Sequence, residues 1–263
     1  YRPLSLPDLK TSWNRWQRGL ADRGWNSLYL SNHDHPRHLS RFGNDDEFRY
    51  ESATLWATLL HLQRGTPYVY QGEEIGMTNA GFTSIEQYRD VESLNFYAES
   101  TAQGMPAGEA LEALRAMSRD NPRTPMQWTA GPNAGFTEGQ PWIDVNPNHV
   151  DVNAEADRSA EKSVFRYYQD LIRLRHTHDV VVLGDFHLEA PEHPHLFAYR
   201  RTLDDAAWLV LANVSGDVLE VPLGLADDGP LILGNYAEAG GAGNLRPWEV
   251  RVLDVSETVS WVG

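Results

Sequence analysis

The densest group of side chains able to do chemistry is one loop, Asn32-His33-Asp34-His35-Pro36-Arg37-His38. Three interpretations of it are open. The three histidines and Asp34 have the donor types of a metal site, although histidines confined to one loop are a weak signal. Alternatively, Asn32 and Asp34 bond the local backbone and shape a polar turn. In the third interpretation, Asp34 is a carboxylate in a substrate pocket and His33 is a hydrogen-bond donor beside it.

The elements around this loop predict where it lies in a fold. Ser27-Leu28-Tyr29-Leu30 is a short apolar run that predicts a buried strand ending at the loop. A second run, Thr66-Pro67-Tyr68-Val69-Tyr70, ends directly before Gln71-Gly72-Glu73-Glu74. Helices are predicted before the first strand and, at about 47–63, between the two strands. Polar residues after the carboxyl end of each strand are typical of parallel α/β folds and barrels.

The first helix is predicted from about Pro7 to Gly24. Its apolar residues recur with helical spacing and are expected to share one face; they are Leu9, Trp13, Trp16 and Leu20. A further helix is predicted at about 160–177. Residues 75–160, rich in Gly, Pro, Asn and acidic residues, predict a lid-like excursion of loops and short helices.

From about Val180 the apolar period changes to two, which predicts an antiparallel β domain. The predicted strands are 196–200, 208–212, 218–221, 231–233 and 249–253. We therefore expect two domains: residues 1–178, with α/β character and the excursion, and residues 179–263, with antiparallel strands. This agrees with a length of 263 residues at roughly 150 residues per domain.

Composition excludes several classes of function. The chain has no cysteine, so disulfides, thiolate metal sites and thiol nucleophiles are excluded. Its formal net charge of −15 disfavours nucleic acid and anionic membranes as partners. No run of apolar residues is long enough to predict a membrane span. The chain opens on Tyr1-Arg2-Pro3 without Met, which favours a start inside a longer protein.

Three segments carry a resemblance to a known family. They are NHDHPR at residues 32–37, GTPYVYQGEEIGMTN at 65–79 and SRDNPRTPMQW at 118–128. Their order and spacing resemble glycoside hydrolase family 13, the α-amylase family, and most closely its α-glucosidase and oligo-1,6-glucosidase branch. The resemblance covers essentially the whole chain. It implies the C-terminal part of a (β/α)₈ TIM barrel, with strands seven and eight, followed by an antiparallel β-sandwich-like domain.

The resemblance also implies that two catalytic groups are missing. The family's enzymes are retaining: an aspartate nucleophile follows strand four, a glutamate acid/base follows strand five and a further aspartate follows strand seven. Since 27–30 and 66–70 resemble strands seven and eight, the first two groups belong upstream of Tyr1. Glu73 and Glu74, at the end of strand eight, do not replace them. We expect this chain alone to be inactive.

The remaining roles are transferred residue by residue. By resemblance, Asp34 is the catalytic carboxylate that holds the hydroxyls at C2 and C3 of the glucosyl ring and favours the oxocarbenium-like transition state. His33 donates to the same hydroxyls. Arg123 reaches the glucosyl subsite and holds Asp34 through its planar guanidinium. Arg37 is expected to be a third substrate-binding residue. No metal or other cofactor is expected.

Two positions depart from the family's pattern. His35 stands where glutamine is frequent and Pro122 where alanine is frequent, and neither changes the resemblance. Arg119, Asp120 and Glu74 are expected to form a structural network in the lid-like excursion.

The complete protein implied is an α-glucosidase that hydrolyses terminal α-glucosidic bonds of short oligosaccharides or sucrose-like glucosides. The alternatives are a glucosyl-transferring relative, such as a sucrose isomerase or a transglucosidase, and a non-catalytic family member acting by protein contact. We expect an oligosaccharide or glucoside substrate, and the missing N-terminal part of the same enzyme as partner. We expect neither nucleic acid nor a membrane as partner, and a cytoplasmic location.

Overall fold

The computed structural model of the chain describes residues 4–226, 229–238, 240–241 and 243–256. The helices are α1 (Leu6–Leu20), α2 (His38–Phe42), α3 (Arg49–His61), α4 (Val91–Ala102), α5 (Ala107–Met117), α6 (Ala154–Ser159), α7 (Val164–Thr177) and α8 (Asp179–Val182). The strands are β1 (Ser27–Leu28), β2 (Thr66–Pro67), β3 (Asp185–Glu189), β4 (Leu196–Leu203), β5 (Ala206–Asn213), β6 (Leu219–Glu220), β7 (Leu231–Gly234), β8 (Asn244–Leu245) and β9 (Val250–Asp254). None of the described helices is long and apolar enough to cross a membrane.

The chain divides into two compact units. The described residues of the first lie in Tyr29–Asp45 and Val69–Arg166. Those of the second lie in Leu4–Leu28, Asp46–Tyr68 and 167–256. The domain boundary between residues 178 and 179 lies where the spacing of apolar residues changes to a period of two. It stays a prediction.

In the second unit, β1 and β2 form the parallel pair that the sequence predicts. Ser27 is paired with Thr66 and Leu28 with Pro67, and α3 connects the two strands. Each strand has two residues, shorter than the four and five residues predicted. Gly65 permits the close approach at the start of β2, since its φ is +141° and a Cβ there would lie 2.6 Å from the Asn26 carbonyl oxygen.

Helix α3 is buried around its whole circumference rather than along one face, because every residue from Glu51 to His61 is buried. A side chain of β4 and one directly after β7 also donate to its carbonyl groups. Tyr199 Oη donates to the Leu59 oxygen at 3.1 Å, and Asn235 Nδ2 donates to the Glu51 oxygen at 2.9 Å. This all-round burial explains the even distribution of apolar residues in 51–62.

The predicted helix α1 is present, but the apolar residues expected to share one face do not form its most buried face. Trp16 is exposed, and Leu9, Trp13 and Leu20 are half-buried, whereas Leu6, Lys10 and Gln17 are buried. Lys10 can be buried because its Nζ donates to three backbone carbonyl groups, at 2.8 Å to Ala190, 2.8 Å to His193 and 3.0 Å to Leu196. Burial lowers the pKa of Lys10 to about 8. These hydrogen-bond acceptors, 180 or more residues away, are invisible to helical periodicity.

The antiparallel sheet of the second unit has the strand order β3-β4-β5-β9-β7. Its core is aliphatic: Leu196, Ala198, Ala207, Leu209, Leu211, Val221, Leu225, Leu245, Leu253 and Val255. The five predicted strands are present with shifted ends. The prediction missed β3 and β8, because β3 carries charged and histidine residues and β8 has two residues.

The first unit contains the predicted excursion at 75–160. Two helices of 12 and 11 residues, α4 and α5, are its largest elements. Both pack into one apolar cluster, to which α5 contributes Leu114; its other buried members are Ala80, Phe82, Tyr88 and Ile143. Between the helices of this unit the chain runs in 3₁₀ turns, and the turn at Asn121–Arg123 positions an arginine of the site.

Candidate active site

The site begins in the loop after β1. The Asp34 amide donates to Asn32 Oδ1 at 2.8 Å, which closes an Asx turn. The Asn32 side chain therefore bonds the local backbone, as the second interpretation of this loop predicts. The Asp34 carboxylate is directed elsewhere, and 46% of that side chain is exposed. The turn thus presents a carboxylate that a ligand can reach.

Arg123 contacts this loop at two points. Its Nη2 donates to Asp34 Oδ1 at 2.8 Å, and its Nε donates to the His33 carbonyl oxygen at 2.8 Å. The donor comes from the 3₁₀ turn Asn121–Arg123. A planar guanidinium with several donors suits such a double contact. The structure therefore brings together the two residues that the resemblance pairs.

His33 lies on the other oxygen of the same carboxylate. His33 Nε2 is 3.2 Å from Asp34 Oδ2, and the imidazole is well exposed. Arg119 is more distant, with Nη1 4.0 Å from Asp34 Oδ1. One carboxylate thus has an arginine on one oxygen and a histidine on the other, and remains half-open to solvent.

Sequence reasoning missed Asp90 as part of the site. Its side chain is 5% exposed, and it accepts hydrogen bonds from Arg119 Nη2 at 2.8 Å and from Arg123 Nη1. Burial opposes ionisation, but hydrogen bonds from Arg119, the Glu92 amide and Arg123 outweigh it and lower the pKa of Asp90. An Asp directly before a helix is the available sequence signal, and it indicates a cap rather than a site.

Arg37 is placed behind the site rather than in it. The residue is 1% exposed, and its guanidinium donates to the Gln71 oxygen and, at 3.2 Å, to the Pro122 oxygen. Its centre is 5.4 Å from the centroid of the Tyr70 ring, and Tyr70 Oη donates to the same Pro122 oxygen at 3.1 Å. Burial lowers the pKa of Arg37 to about 10. These contacts join the loops that carry Asp34 and Arg123, and they leave the guanidinium without exposed surface for the substrate contact expected of it.

The other two histidines of the loop diverge from His33. His35 is stacked on Tyr29, with ring centroids 6.4 Å apart. His38 is buried, with Nδ1 3.3 Å from Ser31 Oγ and 3.5 Å from Glu73 Oε1. Among the described residues, no three His, Asp or Glu side chains converge in the manner of metal ligands. The interpretation of the loop as a metal site has no support from this geometry.

The two acidic residues after β2, and Asp120, accept hydrogen bonds from groups of neighbouring loops. Glu73 is 2% exposed and accepts from Ser31 Oγ and, at 3.2 Å, from the Tyr70 amide. Glu74 accepts from the Gly72 amide at 2.8 Å, and burial raises the pKa of its carboxyl. Asp120 is fully buried and accepts from the amides of Arg89 at 3.2 Å and Asp90 at 3.0 Å. These three carboxyl groups accept hydrogen bonds from neighbouring loop backbone and so shape those loops.

The catalytic-domain model of the α-amylase family matches residues 1–184, more than half of the chain. The chain belongs to the α-amylase family. The resemblance seen in the three sequence segments is thereby confirmed.

Relatives within the α-amylase family include enzymes with several named activities. The chain is 48% identical to an oligo-1,6-glucosidase of Halalkalibacterium halodurans over 258 residues, covering 95% of this chain and 46% of the relative. The crystal structure of Bacillus licheniformis trehalose-6-phosphate hydrolase matches with a TM-score of 0.92 at 38% identity, covering 96% of this chain and 47% of that one. An isomaltulose synthase from Klebsiella sp. LX3 matches with a TM-score of 0.89 at 35% identity, covering 97% and 47%.

These matches confirm the predicted fold class. The α/β elements are those of an α-amylase-family TIM barrel, and an antiparallel sheet follows them. The chain spans about half the length of the curated relatives it matches. The named relatives are an oligo-1,6-glucosidase, a trehalose-6-phosphate hydrolase and an isomaltulose synthase.

Proposed function

We propose that this chain supplies the transition-state-stabilising part of a retaining α-glucosidase, which acts on terminal α-glucosidic bonds of short oligosaccharides or sucrose-like glucosides. The observation that carries the proposal is the half-exposed Asp34 carboxylate held by Arg123 Nη2 at 2.8 Å in a chain of the α-amylase family. The 48% identity to an oligo-1,6-glucosidase supports the same activity.

The proposed chemistry depends on which lone pairs of the Asp34 carboxylate can accept hydrogen bonds from a substrate. Arg123 occupies one side of Asp34 Oδ1, so the carboxylate keeps lone pairs for the hydroxyls at C2 and C3 of a glucosyl ring. Hydrogen bonds to the 2-hydroxyl strengthen as the ring becomes oxocarbenium-like, which stabilises the transition state more than the ground state. The neighbouring imidazole of His33, 3.2 Å from Oδ2, is placed to donate to the same hydroxyls.

The nucleophile and the acid/base are assigned to polypeptide outside these 263 residues. Retaining chemistry needs two carboxyl groups about 5–5.5 Å apart across the scissile bond. Glu73 and Glu74 are engaged in loop contacts, and this chain covers 46% of the oligo-1,6-glucosidase it matches. We therefore assign both groups to the other half of the barrel, and we expect the isolated chain not to hydrolyse glucosides.

The other half of the barrel is the proposed macromolecular partner. The two-stranded parallel sheet has two outer edges, and such edges are docking surfaces for further strands. Tyr68, directly after β2, has 57% of its surface exposed, which suits an aromatic residue that packs against a docked strand. A cytoplasmic location, which the lack of cysteine permits, remains a prediction.

A second candidate is glucosyl transfer within the substrate, as in a sucrose isomerase. The match to an isomaltulose synthase at 35% identity with a TM-score of 0.89 favours it. A non-catalytic family member is less well supported, because protein contact does not require a carboxylate held open between an arginine and a histidine.

The test is a substrate panel on the complete enzyme, with the 263-residue chain as control. Isomaltose, maltose, sucrose, trehalose 6-phosphate and p-nitrophenyl α-glucoside are assayed, and the released sugar is followed by proton NMR. The proposal predicts hydrolysis that first releases α-glucose, and no turnover by the control. First release of β-glucose, or turnover of none of these glucosides, contradicts it. Conversion of sucrose to an isomeric disaccharide supports the second candidate instead.

A further inference from the structure

Asp90 links the two arginines that approach Asp34. Its Oδ1 accepts from Arg119 Nη2 at 2.8 Å, and its Oδ2 accepts from Arg123 Nη1. From the same guanidinium, Arg123 Nη2 reaches Asp34 Oδ1 at 2.8 Å. Arg123 is therefore held between two carboxylates, one buried and one half-exposed.

The backbone fixes Asp90 before any ligand binds. Its amide donates to Asp120 Oδ1 at 3.0 Å and to Oδ2 at 3.2 Å. Its own Oδ1 accepts from the Glu92 amide at 2.8 Å and so caps the N-terminus of α4. The buried carboxylate thus has little freedom to follow the arginines, and the arginines must adapt to it.

A helix cap does not require this charge. Asn and Asp cap helices about equally well, whereas two guanidinium groups on one buried oxygen pair require a carboxylate. The two arginines differ in their other partners: Arg119 Nη2 also lies 2.9 Å from Glu92 Oε2, whereas Arg123 pairs with Asp34 and Asp90. Without the charge on Asp90, Arg119 keeps Glu92 as an anionic partner, whereas Arg123 loses the buried carboxylate that holds its Nη1.

We propose that Asp90 is a positioning residue, which orients the Arg123 guanidinium so that Nη2 holds Asp34 Oδ1 for the glucosyl ring. This inference rests on the proposed function of Asp34 and deepens it. Asp90 itself has almost no exposed surface and does not touch the substrate. It acts through the arginine, and its effect belongs to the step in which the ring becomes oxocarbenium-like.

The first test is steady-state kinetics of Asp90→Asn in the complete enzyme with p-nitrophenyl α-glucoside. Asn keeps the cap and removes the charge. We expect kcat to fall by about 10- to 100-fold, the scale of one hydrogen bond to a charged group, with a much smaller change in KM. Glu112→Gln is the matched control, because Glu112 is an exposed carboxylate paired with Arg115 at 3.3 Å on α5. It should keep the wild-type kcat.

A double-variant cycle separates positioning from a general loss of structure. If Asp90 acts through Arg123, then Asp90→Asn combined with Arg123→Gln should be no slower than Arg123→Gln alone. The proposal would be overturned if the double variant lost kcat by the product of the two single losses. A wild-type kcat in Asp90→Asn would also overturn it.

Arginine side-chain NMR gives a readout that does not depend on activity. In the wild type, the Arg123 guanidinium should rotate slowly, and in Asp90→Asn it should rotate faster. Unchanged rotation would overturn the positioning role. If the wild-type enzyme turns over no α-glucoside, the proposed function fails, while this spectrum still decides whether Asp90 orients Arg123.

Discussion

Arg123 Nη2 lies 2.8 Å from Asp34 Oδ1, although 89 residues separate the two in sequence. Two segments without regular strand or long helix meet at this contact: the loop after β1 and the 3₁₀ turn at Asn121–Arg123. The same guanidinium also bonds the His33 carbonyl and Asp90. The contact is therefore the geometric centre of the site.

Arg123→Lys in the complete enzyme tests the need for this planar group. An ammonium is a point charge and cannot serve Asp34, the His33 carbonyl and Asp90 in the geometry of one guanidinium. We expect kcat/KM for p-nitrophenyl α-glucoside to fall by about 10- to 100-fold. Arg173→Lys, in an exposed pair with Asp170 at 2.8 Å, is the control and should be unaffected. A wild-type kcat/KM in Arg123→Lys would show that the planar guanidinium with its several donors is not needed.

Arg37→Met separates a structural role from a binding role. The variant removes the Arg37 donor from the Gln71 carbonyl and one of two donors, beside Tyr70 Oη, from the Pro122 carbonyl. We expect the free energy of unfolding of the complete enzyme to fall by roughly 1–3 kcal/mol, measured by chemical denaturation. Arg15→Met, at an exposed position of α1, is the control and should change it little. An unchanged unfolding free energy with a raised KM would instead indicate direct substrate binding.

Much of the framework is predictable because it is local. The apolar runs at 27–30 and 66–70 carry the strands, and polar loops follow them as in other parallel α/β folds. The convergence of Asp34 and Arg123 is predictable through the resemblance of their segments to the α-amylase family. Each of these signals lies within a few consecutive residues.

The rest depends on long-range polar contacts that no local period records. Lys10 occupies a buried helix position because three carbonyl groups 180 or more residues away accept its hydrogen bonds. Asp90 has the sequence signature of a helix cap, and its two arginines lie 29 and 33 residues away. Arg37 lies in the same loop as Asp34, yet its side chain turns inward to carbonyl groups 34 and 85 residues away.

The Glu249 network provides a stability prediction in the antiparallel sheet. Glu249 is 2% exposed and accepts from Arg246 Nε at 3.0 Å and from Arg251 Nε at 2.7 Å. Removing one partner of a buried ion pair leaves the remaining charges uncompensated. Glu249→Gln should therefore lower the free energy of unfolding by about 3–5 kcal/mol at pH 7, measured by chemical denaturation. Glu189→Gln, which removes a half-buried pair with Arg200 at 3.1 Å, should change it by less than about 1 kcal/mol.

The same network predicts a pH dependence. Burial opposes ionisation of Glu249, but hydrogen bonds from Arg246 and Arg251 outweigh it and hold its pKa below the ordinary value of 4.5. The unfolded chain then binds the proton at a higher pH than the folded one. The stabilisation is complete above about pH 4.5 and is lost as the pH falls through the lowered pKa. Stability curves below pH 4.5 should be flatter in Glu249→Gln than in the wild type; curves of equal slope would contradict this assignment.

Asp34→Asn in the complete enzyme is the most direct test of the central claim, that this carboxylate stabilises the transition state. The half-exposed contact with Arg123 contributes little to folding, so the thermal midpoint should stay close to that of the wild type. We expect kcat for p-nitrophenyl α-glucoside to fall by about 100- to 1,000-fold, because a charge aimed at the developing oxocarbenium ion is lost. Asp170→Asn, which removes an exposed carboxylate from a similar pair, should retain full activity. A folded Asp34→Asn enzyme with a wild-type kcat would contradict the claim.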